Sequence, residues 1–245
     1  MMSFISRKVC IAVAAAALAA IGGAAHAGSV VVPATGDIWL AGQPSGATVT
    51  GYFGTDTAPA NSPLLIDVTS PVMTFSASGS TSVDGANFGG PDGASAYPDQ
   101  SGFSPSPWGG LYNGPASALV GVFLGSTAPA LISSGGYQGP NFIAGADYQS
   151  AGSTGPGSYS PALDQIFIIG DGAGETFNAP TGATRLYIAT ADSLGASAGN
   201  SGALAVSFTG GVTVPEPAAW ALMLLGLGGV GAAMRWGRRP VAAVA

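Results

Sequence analysis

Apolar and polar positions alternate with a period of two in several short stretches of the 245-residue chain. Residues 72–77 put Met73, Phe75 and Ala77 on one face, and residues 203–208 put Leu204, Val206 and Phe208 on one face. That period is the mark of a half-buried strand. Residues 119–124 and 166–169 are apolar throughout and read as central strands covered on both sides. Residues 185–189 and 48–53 are further strands by composition. No stretch among them carries the apolar spacing of an amphipathic helix. Residues 28–213 are therefore predicted to form a single all-β domain, a β-sandwich or jelly roll. Two connections, 78–117 and 125–163, are too long for hairpins, and loops of that length in compact domains are functional or disordered. The second is dominated by Gly, Ser and Pro and reads as decoration, whereas the first holds more varied chemistry.

The two ends follow different rules. Arg7 and Lys8 precede an apolar run from position 9 to 20, and Ala25-His26-Ala27 then supplies small residues where a signal peptidase needs them. Residues 1–27 are thus predicted to be a Sec-type signal peptide cleaved after Ala27. At the other end Pro215-Glu216-Pro217 precedes an apolar stretch, 218–234, long enough for the shortest membrane-spanning helix. Arg235, Arg238 and Arg239 follow and are held in the cytoplasm by the positive-inside rule, with residues 240–245 as a cytoplasmic end. This order over residues 214–239 resembles the PEP-CTERM sorting tail of Gram-negative bacteria. The resemblance implies recognition by an exosortase-type membrane peptidase. It further implies an inner-membrane intermediate, then the cell surface or an extracellular polysaccharide matrix.

Composition narrows the chemistry. Glycine (40) and proline (18) leave little room for long soluble helices. Charged residues are only 7% of the chain, and between the two tails Arg185 is the sole cation against eleven acids. Such a surface repels phosphate backbones, which excludes nucleic acid as a partner, and attracts divalent cations. The only histidine, His26, and the only cysteine, Cys10, lie in the predicted leader. Without it the chain has no imidazole, thiol or lysine before the tail, so Ser-His-Asp and Cys-His catalysis, Schiff bases and Cys/His zinc sites are all ruled out. Disulfides are ruled out as well.

Oxygen ligands remain. Asp84, Asp92, Asp99, Asp192 and Asn200 lie in turn-rich segments, and residues 192–200 hold an Asp and an Asn eight positions apart with small residues between them. Calcium takes six to eight oxygens, backbone carbonyls included, from a loop that can curl around it. The same residues can instead satisfy local backbone N–H groups. Trp39 and Trp108 suit either a sugar face or ordinary packing.

From position 38 to 212 the order of Gly90-Pro91-Asp92-Gly93, Tyr97-Pro98-Asp99-Gln100, Phe177-Asn178-Ala179-Pro180, Arg185-Leu186-Tyr187-Ile188 and the 192–202 loop resembles the calcium-dependent galactose-binding lectins of bacteria. By position, the resemblance implies calcium held by the carbonyl of Val83, by Asp192, by the carbonyl of Ala196 and by Asn200. It implies a sugar held by Tyr97, Asp99, Gln100 and Asn200. Two positions depart from the family pattern: Tyr97 stands for a histidine, and Gly199 for the first of two consecutive asparagines.

The expected function is therefore an exported, non-enzymatic, calcium-assisted carbohydrate-binding protein. Its first rival is a structural matrix protein on the same fold with a non-binding site. A remote rival is a glycosidase that uses Asp164, Asp171 and Glu175, three acids expected to be solvated surface.

Overall fold

The computed structural model describes residues 27–97, 112–127, 142–143 and 156–213. The predicted leader before Ala27, Asp99, Gln100 and Trp108, and the sorting residues from Pro215 to Arg239 lie outside the described residues.

The described part is all-β. Its strands are β1 (Ala27–Pro33), β2 (Thr48–Thr50), β3 (Thr55–Thr57), β4 (Leu64–Val68), β5 (Val72–Ser82), β6 (Tyr112–Asn113) and β7 (Leu119–Leu124). They continue with β8 (Phe142–Ile143), β9 (Gly157–Tyr159), β10 (Ile166–Ile168), β11 (Glu175–Asn178), β12 (Arg185–Thr190), β13 (Ser201–Thr209) and β14 (Gly211–Thr213). Two single-turn 3-10 helices, Ile38–Leu40 and Ser197–Gly199, are the only helical elements among the described residues. No helix among them is long and apolar enough to cross a membrane.

Two five-stranded sheets carry the architecture, in the orders β1-β13-β5-β11-β9 and β10-β7-β12-β4-β14. In the first, β13 pairs antiparallel with β5 in a register that sets Phe208 opposite Phe75 and Val206 opposite Ala77. Period-two alternation puts all four on the same face, and Phe75, Val206 and Phe208 are buried there. In the second sheet β7 runs between β10 and β12, and all six of its residues are buried, as its unbroken apolar run requires. The sheets meet through aromatic side chains. Phe167 of β10 lies 5.3 Å from Phe177 of β11, which packs edge-on against Phe75 at 5.6 Å. A buried ring of this kind contributes roughly 1.5–3 kcal/mol through the area removed from water. Trp39 joins the same core, so it packs rather than reaching out for a ligand.

Two expectations need correction. The strand expected over 48–53 ends at Thr50, because the N–H of Gly51 donates to the carbonyl of Gly54 at 2.9 Å and closes a turn. Tyr52 and Phe53 stand on that turn, 93% and 62% exposed. Glu175, expected at the surface, is buried in β11, whose alternation turns Glu175 and Phe177 to the interior.

Candidate functional site

Five of the residues singled out by sequence, Val83, Asp84, Tyr97, Asp192 and Ala196, come together in space. Val83 and Asp84 lie immediately after β5, Tyr97 lies further along the same connection, and Asp192 and Ala196 belong to the loop after β12. All five line one cavity of about 430 Å³, together with Ser193 and with Phe53 from the β2–β3 turn. Asn200 joins them through Asp192. Its side-chain amide donates to the Asp192 carboxylate and to the carbonyl of Ala34 at 3.2 Å. Those two acceptors fix which end of the amide is nitrogen. The amide oxygen of Asn200 is left buried with no hydrogen-bond partner, on a residue only 8% exposed. A buried acceptor without a donor costs about 1–3 kcal/mol, so it is a position that a cation would satisfy.

The loop 192–200 owes its shape to two buried acids of the early chain. Asp37 accepts the N–H of Trp39 at 2.8 Å and that of Gly195 at 3.3 Å. Asp56, in β3, accepts the N–H groups of Ser197 at 2.8 Å and Ala198 at 3.0 Å, and so caps the start of the 3-10 turn. Both carboxyls are essentially inaccessible to water. Burial pushes the Asp37 carboxyl well above the usual carboxylate range, and a hydrogen bond to Asp56 and that residue's charge push it the same way. Neither acid could be assigned to the site by spacing, because each lies more than a hundred residues from the loop it holds.

Asp192 is poised differently. Burial raises its pKa to about 6, against the N–H of Ser193 at 2.6 Å and the Asn200 amide, while the charge of Asp56 adds to the rise. A carboxylate held partly out of water gains from a nearby cation.

The opposite wall is built by Asp84. Its Oδ1 accepts the Ser82 hydroxyl at 2.9 Å and the N–H groups of Ala86 and Asn87 at 2.8 and 2.7 Å. These donors, led by Asn87, hold its carboxyl far below the usual range. Its Oδ2 accepts the Tyr97 hydroxyl at 2.9 Å, which fixes that phenol at the cavity and raises its pKa. Asp-Gly-Ala-Asn is the sequence signal of such a turn, but nothing in it points to a tyrosine 13 residues away.

The remaining candidates lie elsewhere. Asp92 accepts the N–H of Asp171 at 3.0 Å, and Asp171 in turn accepts that of Ala173 at 2.9 Å, so both acids order turns. Asp164, Asp171 and Glu175 do not line the cavity. Arg185 donates to the carbonyls of Gly125 and Thr127 at 2.9 and 2.8 Å and lies over the Tyr187 ring. Ala27, the expected last residue of the leader, opens β1 opposite Thr209.

The polar side chains that line the cavity, Asp84, Asp192, Tyr97 and Ser193, offer oxygen alone, while the carbonyl of Ala196 accepts the N–H of Gly199 at 3.4 Å. That set suits a hard cation such as calcium rather than a transition metal. Among the described residues no three His, Cys, Asp or Glu side chains cluster as a metal site, so such an ion would depend on amide and carbonyl oxygens.

Residues 213–239 match the PEP-CTERM protein-sorting motif. That tail marks an exported substrate of an exosortase, a membrane protease, which passes through a membrane-anchored intermediate to the surface. No curated protein matches this sequence. The motif covers the tail alone, so the reading of the central domain rests on its own residues and geometry.

Proposed function

We propose that the chain is a surface or matrix protein of a Gram-negative bacterium whose β-sandwich domain binds a neutral, galactoside-like carbohydrate with the help of calcium and performs no catalysis. The observation that carries this reading is the convergence of Val83, Asp84, Tyr97, Asp192 and Ala196 on one cavity, with the amide of Asn200 held against Asp192. Asp192, Asn200 and the carbonyls of Val83 and Ala196 would hold the ion, which supplies coordination positions for two vicinal sugar hydroxyls. Tyr97 offers a phenolic hydrogen bond, and Asp99 and Gln100, shortly after it in sequence, supply acceptor and amide groups for a further hydroxyl. An acidic surface without an available cation near the cavity disfavours anionic ligands.

Calorimetry of the purified chain with methyl β-galactoside tests the reading. Weak binding in the ~0.1–1 mM range is expected with calcium, and none with chelator or in Asp192→Ala. Binding that survives the chelator overturns the calcium assignment. A glycan array without a single hit favours the second reading, a structural matrix protein whose loop is merely capped. The feature behind that alternative is Gly199, which puts no side chain where a second amide would stand.

A further inference from the structure

Two aromatic rings stand on the turn between β2 and β3, one of them at the cavity. Tyr52 and Phe53 pack edge-to-face, with centroids 5.0 Å apart and planes at 85°, and Phe53 lines the cavity with Tyr97 and Asp192. Both are largely exposed, so neither serves the core.

Their position is set by backbone contact. A Cβ on Gly51 would lie 1.8 Å from the carbonyl oxygen of Leu194, and one on Gly54 would lie 2.6 Å from that of Gly195. Gly195, at a φ of 70°, lies equally close to the Gly54 carbonyl in return. The turn that carries both rings therefore rests directly on the loop 192–200.

The lining of the cavity mixes two chemistries. The carboxylates of Asp84 and Asp192 and the phenol of Tyr97 bind hydroxyl groups, and Phe53 presents a ring that binds C–H surface. A sugar ring has both kinds of surface, whereas a phosphate or an acidic peptide would meet the carboxylates of Asp84 and Asp192. We propose that Tyr52 and Phe53 form a second subsite, which takes the apolar face of the sugar ring next to the one held at Asp192. This rests on the carbohydrate-binding reading above and adds to it a preference for a disaccharide over a single ring.

The test compares methyl β-galactoside with a β-linked galactobiose by calorimetry in calcium, on the full chain and on its Tyr52→Ala/Phe53→Ala variant. The parent is expected to bind the disaccharide ~3- to 10-fold more tightly, the range of one aromatic contact. In the variant the ratio of the two affinities should fall to about one; the ratio is the readout, because Phe53 also lines the cavity that takes the first ring. Phe53→Tyr, which keeps the ring, should retain the preference. A ratio of one in the parent, or a preference that survives the double substitution, overturns the subsite and leaves the first site standing. If the parent binds neither sugar, the carbohydrate reading fails and the subsite with it.

Discussion

Asp56 Oδ2 accepts the backbone N–H of Ser197 at 2.8 Å, tying a strand of the early hairpin to the loop that carries Asp192 and Asn200. The neighbouring Oδ1 takes the N–H of Ala198, so one buried carboxylate terminates two amides. Asp56→Ala leaves both amides without an acceptor and is expected to cost on the order of 3–5 kcal/mol. The loop should loosen with it. Hydrogen exchange at Ser197 and Ala198 is the direct readout, and protection at those amides equal to the parent's would refute the capping role.

A pH series probes Asp192 and Asp37. Both hold protons more tightly in the folded chain than in the unfolded one. For Asp192 the native state carries the extra proton from about pH 4 to pH 6, so stability falls as pH rises through that window, and Asp37 acts in the same direction. For Asp192 the loss is on the order of 2–3 kcal/mol, from a carboxyl moved from 3.8 to about 6. Asp84 acts in the opposite sense: its depressed pKa contributes stability that is lost as pH drops below its ordinary value. In chelator the melting temperature should be higher at pH 4.5 than at pH 7.5, and Asp192→Asn should shrink the difference. A higher melting temperature at pH 7.5 contradicts the assignment.

Calcium should close that gap by mass action. At a hundred times its dissociation constant a ligand specific for the native state adds ~2.7 kcal/mol, seen as a rise in melting temperature at pH 7.5. Asp192→Ala should abolish the rise and Asp164→Ala should not, since Asp164 lies outside the cavity. Equal shifts in the parent and in Asp192→Ala would place the ion elsewhere.

Gly199→Asn should strengthen the site. A Cβ at Gly199 meets nothing within 4 Å and its φ is not left-handed, so the change carries no steric cost. A second amide oxygen beside Asn200 is expected to tighten calcium binding several-fold, roughly 1 kcal/mol. Titration of the ion by calorimetry checks this, and an unchanged or weaker affinity argues against a ligand position there.

The sorting tail gives a cellular prediction. Replacing Pro215, Glu216 and Pro217 by alanine removes the motif and leaves the leader and the apolar span intact. The variant should be exported and retained in the membrane fraction, while the parent is released. Equal release of both proteins refutes processing at this tail.

Local physics was enough for part of this molecule. The alternation at 72–77 and 203–208 and the apolar runs at 119–124 and 166–169 marked β5, β13, β7 and β10, because a strand's side-chain period is written into consecutive residues. The tail was legible for the same reason, as its motif, apolar span and arginines are contiguous. β1, β4 and β11 had weaker local patterns and were settled by their partners in the sheets. At the site, Asp192 and Asn200 could be named from one loop. That Asp56 caps that loop, that Asp84 anchors Tyr97 and that Phe53 lines the cavity were decided only in three dimensions. The reason lies in long-range backbone chemistry. Amides orphaned in a tight glycine-rich loop must find acceptors, and the closed packing of the two sheets brings carboxylates from distant positions to supply them.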